Sequence, residues 1–219
     1  MKVLITGTNR GIGKATAELF LKHNHEVIGF DIEEASIEHE NYKHIICDVS
    51  QPDTFPELEG IEILINNAGT IEEEKAIKVN LEGYINIAEK YAFQPNIKAV
   101  VNVGSIAAKT GLDTLKYCAS QGGRNSYTKN LAIRLGHLYN IPVNSVGFGA
   151  THTTLEAKLY ERDDLMQAVA DESLLRKWAT PEEAAEWIYF VAVHNKSMTG
   201  QNILIDNGEE ANYNFIEWR

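Results

Sequence analysis

The sequence predicts an α/β fold: a doubly wound parallel sheet of about seven strands with helices on both faces. Short apolar runs rich in Val and Ile recur along the 219 residues. Longer stretches with apolar residues three and four apart lie between several of them. Helix-start and turn residues mark the junctions.

In chain order, Lys2–Thr6 reads as the first strand. Gly11–His23 reads as a helix with Ile12, Ala15, Thr16, Leu19 and Phe20 on one face. Glu26–Phe30, His44–Cys47 and Ile61–Ile65 read as the next three strands. Glu72–Phe93 reads as a helix, Ala99–Val103 as a strand and Tyr117–Leu138 as a helix. Pro142–Val146 and Asn202–Ile205 supply the last strands, with helix Pro181–His194 between them. Near-continuous apolar runs of this kind are expected to be buried on both faces. Thr180-Pro181-Glu182-Glu183 is a helix start: a capping Thr, a Pro in the first turn and acids near the positive helix end. No repeat or linker divides the chain, so residues 1–219 are expected to form one domain, with a substrate lid at about 150–172.

Composition narrows the functional classes. Apolar residues make up 44% and charged residues 23%, an ordinary globular mix. No apolar run reaches the roughly 20 residues of a membrane helix. Val3-Leu4-Ile5 is too short for a signal peptide, so a cytoplasmic protein is expected. A net charge of −11 argues against nucleic acid, whose phosphates need clustered Lys and Arg. Cys47 and Cys118 are expected to be free and reduced. The seven histidines show no metal-ligand spacing, and no metal is expected. His152, at the start of the lid beside Thr153, is a candidate substrate contact.

Thr6-Gly7-Thr8-Asn9-Arg10-Gly11-Ile12-Gly13 joins the first strand to the first helix. Glycines there permit a tight turn and close approach of backbone to a pyrophosphate. The helix N-terminus adds free N–H groups and partial positive charge. Glycines alone also fit a bland turn; the strand before and helix after them make a dinucleotide site of the Rossmann kind. Asp31 ends the second strand, where a carboxylate can accept hydrogen bonds from both adenosine ribose hydroxyls and repel a 2′-phosphate. That favours NAD over NADP, with Arg10 the one nearby cation that argues otherwise.

Further motifs carry a resemblance. Cys47-Asp48-Val49 follows the third strand and Asn66-Asn67-Ala68-Gly69 the fourth. Asn80 lies in Val79-Asn80-Leu81-Glu82-Gly83, Ser105 follows the fifth strand, and Tyr117 comes 12 residues later. Met198-Thr199-Gly200-Gln201-Asn202-Ile203-Leu204-Ile205-Asp206 leads into the last strand. Over nearly its whole length the chain resembles the short-chain dehydrogenase/reductase family of the compact type.

The resemblance implies hydride transfer between a nicotinamide ring and a small carbonyl or alcohol. Tyr117 would exchange the proton with the substrate oxygen, Ser105 would hold that oxygen, and Asn80 would help position a proton-relaying water. Gly7, Asn9, Arg10, Gly11, Ile12, Gly13, Asp31, Asp48, Val49, Asn67, Ala68, Gly69, Tyr117, Gln121 and Thr153 would line the cofactor. Asp48 and Val49 would meet the adenine, and Thr153 the nicotinamide amide. A homodimer or homotetramer through the helices Glu72–Phe93 and Tyr117–Leu138 is also implied. Tyr213, Phe215 and Trp218 are expected to pack on a neighbouring subunit or cover the cleft.

The chain departs from the family at Tyr117-Cys118-Ala119-Ser120-Gln121, where the family pattern Tyr-x-x-x-Lys ends in glutamine. Residue 121 lies one turn from Tyr117 on the same helix face. Gln can bond ribose hydroxyls but supplies no charge. A cation about 4 Å away at an effective dielectric of about 20 contributes roughly 4 kcal/mol, or roughly three pKa units. Its loss favours carbonyl reduction over alcohol oxidation. The alternative is an NAD(H)-binding sensor or scaffold with little turnover. Arg124, where the family has an apolar residue, either replaces part of the charge or makes an ion pair on a helix face or at a subunit contact.

The segment Asp48–Gly60, with Pro52 and Pro56, is too short for a full helix, and Gly69 to Asn80 is brief as well. Phe148 stands where the family has Pro before Gly149, at the entry to the lid. The lid mixes Leu155, Leu159, Leu165 and Met166 with Glu161, Asp163 and Asp164, a pattern for one or two amphipathic helices.

Overall fold

The computed structural model describes residues 1–153 and 162–212. Leu155, Leu159 and Glu161 of the expected lid, and Tyr213, Phe215 and Trp218, lie outside the described residues. The seven strands are β1 (Lys2–Thr6), β2 (Glu26–Asp31), β3 (Tyr42–Ile46), β4 (Ile63–Asn66), β5 (Ala99–Ser105), β6 (Val143–Phe148) and β7 (Asn202–Ile205). All pair in parallel, in the order β3-β2-β1-β4-β5-β6-β7. The helices are α1 (Gly11–Lys22), α2 (Gly83–Tyr91), the short α3 (Ala107–Thr110), α4 (Leu115–Tyr139), α5 (Asp163–Asp171) and α6 (Pro181–Tyr189).

Strand alternation splits the core in two. Val3, Ile5, Ile63, Ile65, Val101 and Val103 pack against α1 and α6 with Phe20, Leu21 and Ile188. Leu4, Leu64 and Val100 point the other way, onto Ile87 and Tyr91 of α2 and Leu131 and Leu135 of α4. This period-2 division places helices on both faces, as doubly wound sheets require. The edge strands differ from expectation: β3 and β7 are only partly buried, because each has one neighbour and incomplete helix cover. Ile46 of β3 is 55% exposed.

Of the residues read onto the inner face of α1, Ala15, Thr16 and Phe20 are buried, and Ile12 and Leu19 pack half-buried against the same core. Gly13, Ala17 and Leu21 are buried as well, so the contact face is wider than the 3–4 spacing marks. Thr180 caps α6 in a reciprocal box: Glu183 N–H donates to its hydroxyl at 3.1 Å and Thr180 N–H to the Glu183 carboxylate at 2.9 Å. Between β3 and β4 only a 3₁₀ turn, Pro52–Thr54, forms. The expected helix 72–93 begins late, in a π-helical turn Lys78–Glu82 that runs into α2. The expected helix 181–194 likewise finishes as a π-helical turn, Phe190–His194. Among the described residues no helix is long and apolar enough to cross a membrane, and no group of three or more His, Cys, Asp or Glu could hold a metal.

Candidate active site

Strand order reverses between β1 and β4, and ligand crevices in open parallel sheets lie at the carboxyl ends of strands around such a switch. The turn after β1 opens there. Gly7 and Gly11 have φ of +76° and +57°, which L side chains rarely adopt. A Cβ on Gly13 would lie 2.0 Å from Gly7 O and 2.3 Å from Asn67 Nδ2, so only glycine fits that contact. No side chain caps α1 and no acid stands in its first turn, which leaves its N-terminus suited to a pyrophosphate.

Asn67 faces the turn. Its Nδ2 donates to Thr6 O at 2.9 Å and Gly7 O at 3.1 Å. The backbone N–H groups of Asn67 and Ala68 both donate to Thr6 Oγ1 at 3.0 Å. The end of β4 is thereby locked to the glycine turn. A Cβ on Gly11 would lie 3.4 Å from the Thr153 side chain, so the start of the lid region borders the same turn.

At the end of β2, Asp31 accepts Asn9 N–H at 2.8 Å and Glu33 N–H at 3.1 Å. Two carboxylate oxygens carry about four acceptor sites, so capacity remains for ribose hydroxyls. Arg10, the cation read as able to attract a 2′-phosphate, instead pairs with Glu33 at 3.2 Å. Asn9 Nδ2 donates to the same Glu33 carboxylate at 2.6 Å, leaving its buried Oδ1 without a protein partner. Glu33 was missed in the sequence because its pairing with residues 9 and 10 depends on how the second strand ends beside the turn.

Asp48 Oδ1 accepts Ser50 N–H at 2.8 Å, a local turn that sets the segment after β3. Val49 is buried against α2: a Cβ on Gly83 would lie 2.9 Å from Val49 Cγ2. The neighbouring Cys47 thiol is pushed up to about 11 by burial, so it is no thiolate nucleophile.

Asn80 sits inside the π-helical turn, fully buried. Its Oδ1 accepts Thr70 N–H at 2.8 Å, and its Nδ2 donates to Thr70 O at 2.8 Å and to Ser120 Oγ at 3.4 Å. The side chain thus clamps the segment after Gly69 to α4. Its backbone carbonyl accepts Arg124 Nε at 3.1 Å and Nη2 at 2.9 Å. Both lone pairs are taken by Arg124, so the visible work of Asn80 is to hold α4 in place.

Ser105 ends β5 and accepts Ala107 N–H at 3.1 Å. Tyr117 stands half-buried in the first turn of α4. The start of that helix is held by Glu73, which accepts Lys116 N–H at 3.0 Å, and by a Lys116–Glu74 ion pair at 2.7 Å. Gln121, one turn on, is 2% exposed, and its Oε1 has no protein partner. An orphaned acceptor costs free energy when buried. A hydroxyl-bearing ligand in the cleft would satisfy it, so the chain fits a dinucleotide at both ends: Asn9 Oδ1 at one, Gln121 Oε1 at the other.

Arg124 is neither a surface ion pair nor an exposed contact residue. It is 3% exposed, stacks 3.7 Å over the Tyr84 ring, and donates to the carbonyls of Asn80 and Val103. Tyr84, whose hydroxyl donates to Val103 O at 3.1 Å, is pushed up to about 12 by burial, with Arg124 opposing. Behind it, Asn66 Nδ2 donates to Asn102 Oδ1 at 3.1 Å, Asn102 Nδ2 to Thr128 Oγ1 at 2.9 Å, and Thr128 Oγ1 to Arg124 O at 2.9 Å. These polar residues sit within apolar strand and helix patterns, a signal visible in the sequence but not interpretable without their partners.

His152 is exposed and stacks on Trp178 at 5.2 Å. Phe148 is buried as the last residue of β6. After β6, Glu209 Oε2 accepts Ala150 N–H at 3.2 Å, and burial raises the pKa of its carboxyl. Sequence reading missed Glu209, which comes from the far side of β7.

The comparisons with known proteins agree with this fold. A family model described as Enoyl-(Acyl carrier protein) reductase matches residues 7–210. The 3-oxoacyl-(acyl-carrier-protein) reductase of Thermotoga maritima is 30% identical, over 94% of this chain and 96% of its own. A longer relative from Sinorhizobium fredii, an uncharacterized short-chain type dehydrogenase/reductase, is 29% identical, and the chain spans 43% of its length. Among solved structures, ligand-free aldohexose dehydrogenase of Thermoplasma acidophilum has a TM-score of 0.88 and 25% identity, covering 100% of this chain and 97% of that one. A 4-hydroxyisoleucine dehydrogenase complexed with NADH has a TM-score of 0.84 and 27% identity, covering 97% and 99%.

Proposed function

This chain belongs to the short-chain dehydrogenase/reductase family and is an NAD(P)-dependent oxidoreductase, and we propose that it uses NAD(H) to reduce a small carbonyl compound. The observation that carries the cofactor choice is the carboxylate pair after β2. Asp31 holds the glycine turn through Asn9 N–H, and Glu33 pairs with Arg10, so a 2′-phosphate meets two carboxylates beside a cation that is already paired.

Bound nicotinamide supplies the hydride. Tyr117 gives its hydroxyl proton to the substrate oxygen, and Ser105 holds that oxygen by a hydrogen bond. Asn80 and Gln121 place Tyr117: one clamps α4, the other offers its free carbonyl oxygen to the ribose. Residues 150–172 act as the lid, with Thr153 beside the glycine turn. Exposed Ile133, Leu138 and Tyr139 on α4 suit a homo-oligomer. A neutral residue at 121 favours reduction, because reduction uses the phenol as proton donor, whereas oxidation needs the phenolate as base, the form a lysine at 121 would stabilise.

Buried, neutral Gln121 also supports a second reading, an NAD(H)-binding protein with little turnover. NADH and NADPH consumption over a panel of small aldehydes and ketones, with binding of each measured by fluorescence, separates the two. NADH is expected to bind at least about tenfold more tightly, near 1.4 kcal/mol, and to be consumed faster than NAD is reduced by the matching alcohols. Equal NADPH binding would overturn the cofactor choice. NADH binding without consumption, restored by Gln121→Lys, would select the second reading.

A further inference from the structure

Arg124 is a buried cation for which the described residues provide no carboxylate. Its hydrogen bonds go to the neutral carbonyls of Asn80 and Val103, and its planar face lies on Tyr84. These contacts take up three of its five N–H donors without cancelling its charge. The positive field therefore extends into the surrounding low-dielectric space.

Its direction is set by the helix. Side chains on α4 lean towards the helix N-terminus, so Arg124 reaches back over the preceding turn. The contacts agree. Asn80, which takes the guanidinium on its carbonyl, reaches Ser120 Oγ with its side chain, and Ser120 Oγ donates to Tyr117 O at 2.6 Å. The guanidinium thus sits beside the turn that carries Tyr117 and Gln121. Tyr84 senses both groups: Arg124 eases its ionisation, and Tyr117 opposes it.

We propose that Arg124 is a positioning residue whose charge stabilises Tyr117 as it gives up its proton, replacing the cation absent at position 121. In reduction the Tyr117 O–H bond breaks and a new O–H bond forms on the substrate oxygen as hydride from the reduced nicotinamide reaches the carbonyl carbon. The electron pair left on the Tyr117 oxygen is the charge that Arg124 faces. The assignment rests on the reading of Tyr117 as proton donor. Among the described residues, the other charged groups around the start of α4 are held locally, Asp113 by Thr114 N–H at 2.6 Å among them. Glu73, before α2, is bound to Lys116 N–H, Lys116 is paired with Glu74, and Lys109 of α3 is paired with Glu210. Of these, Glu73 opposes the phenolate, and His152 of the lid region stacks on Trp178.

Tyrosinate absorbance tests this without turnover. The Tyr117 titration is the difference between the native chain and its Tyr117→Phe variant, recorded without cofactor. Seven residues along a helix span about 10 Å, and a unit charge at that range in an effective dielectric of about 20 shifts a pKa by about one unit. Arg124→Gln is expected to raise the Tyr117 midpoint by about one unit. Arg124→Lys should restore most of the shift, and Gln121→Lys added to Arg124→Gln should bring the midpoint to or below its native value. Arg124→Met, neutral with a similar stem, serves if the Gln variant does not fold. An unmoved midpoint in either folded neutral variant overturns the proposal. A chain that titrates as expected but consumes NADH with no carbonyl fails the oxidoreductase reading alone.

Discussion

The two ends of the cleft are built from different materials. The end proposed for adenosine is local and solvent-exposed: Asn9, Arg10, Asp31, Glu33 and Ser36 lie within one stretch of sequence, and the Arg10–Glu33 pair is 53% and 43% exposed. The end proposed for the nicotinamide is assembled from residues distant in sequence and is buried. Asn66, Asn80, Tyr84, Asn102, Arg124 and Thr128 are all buried and come from β4, the π-helical turn, α2, β5 and α4. Charge at a solvent edge discriminates between ligands but adds little to stability, since exposed pairs contribute roughly 0–1 kcal/mol. A buried hydrogen-bonded ladder couples site geometry to the stability of the whole sheet, because removing a member strands its partners.

Substitution should separate the two ends. The largest effect is expected from Asn102→Leu, which leaves Asn66 and Thr128 without their shared partner. Denaturant unfolding should show a loss of about 2–3 kcal/mol, with ADP affinity little changed. A silent Asn102→Leu would erase the distinction. Asp31→Asn should do the reverse: unfolding within about 0.5 kcal/mol of the native chain, NADH binding weaker by about tenfold, and NADPH relatively favoured. Destabilisation as large as that of Asn102→Leu would make the adenosine end structural as well.

The smallest effect sharpens the comparison just after β6, at Glu209. Burial raises the pKa of the Glu209 carboxyl, so between its unfolded and folded pKa values the native state binds more protons than the unfolded state. Stability therefore falls as pH rises through that window, and the penalty persists above it. Glu209→Gln removes the penalty while keeping an acceptor for Ala150 N–H. Thermal unfolding should show a gain of under about 1 kcal/mol at pH 7 that vanishes near about pH 3.5.

The adenosine end was legible because its signals are short-range. Glycines with forced backbone geometry, a helix start and an acid at a strand end need no distant partner to be read. Edge strands were read less well, since periodicity reports which residues are apolar and not how many neighbours each face receives. Arg124 shows the limit most clearly. At its position a charge on a helix suggested an exposed pair, and only the carbonyls of Asn80 and Val103 and the ring of Tyr84 explain a buried one.

The sequence by itself determined the alternation of strands and helices, the glycine turn, Asp31 and the missing lysine at position 121. These follow from side-chain periodicity and backbone freedom, which act over a few residues. Only the tertiary structure decided that Glu33 holds Arg10, that Asn80 clamps α4, and that a guanidinium lies buried beside Tyr117's helical turn. Those contacts join residues tens of positions apart, and their energies depend on burial and a shared low dielectric that exist only once the sheet and its helices have closed.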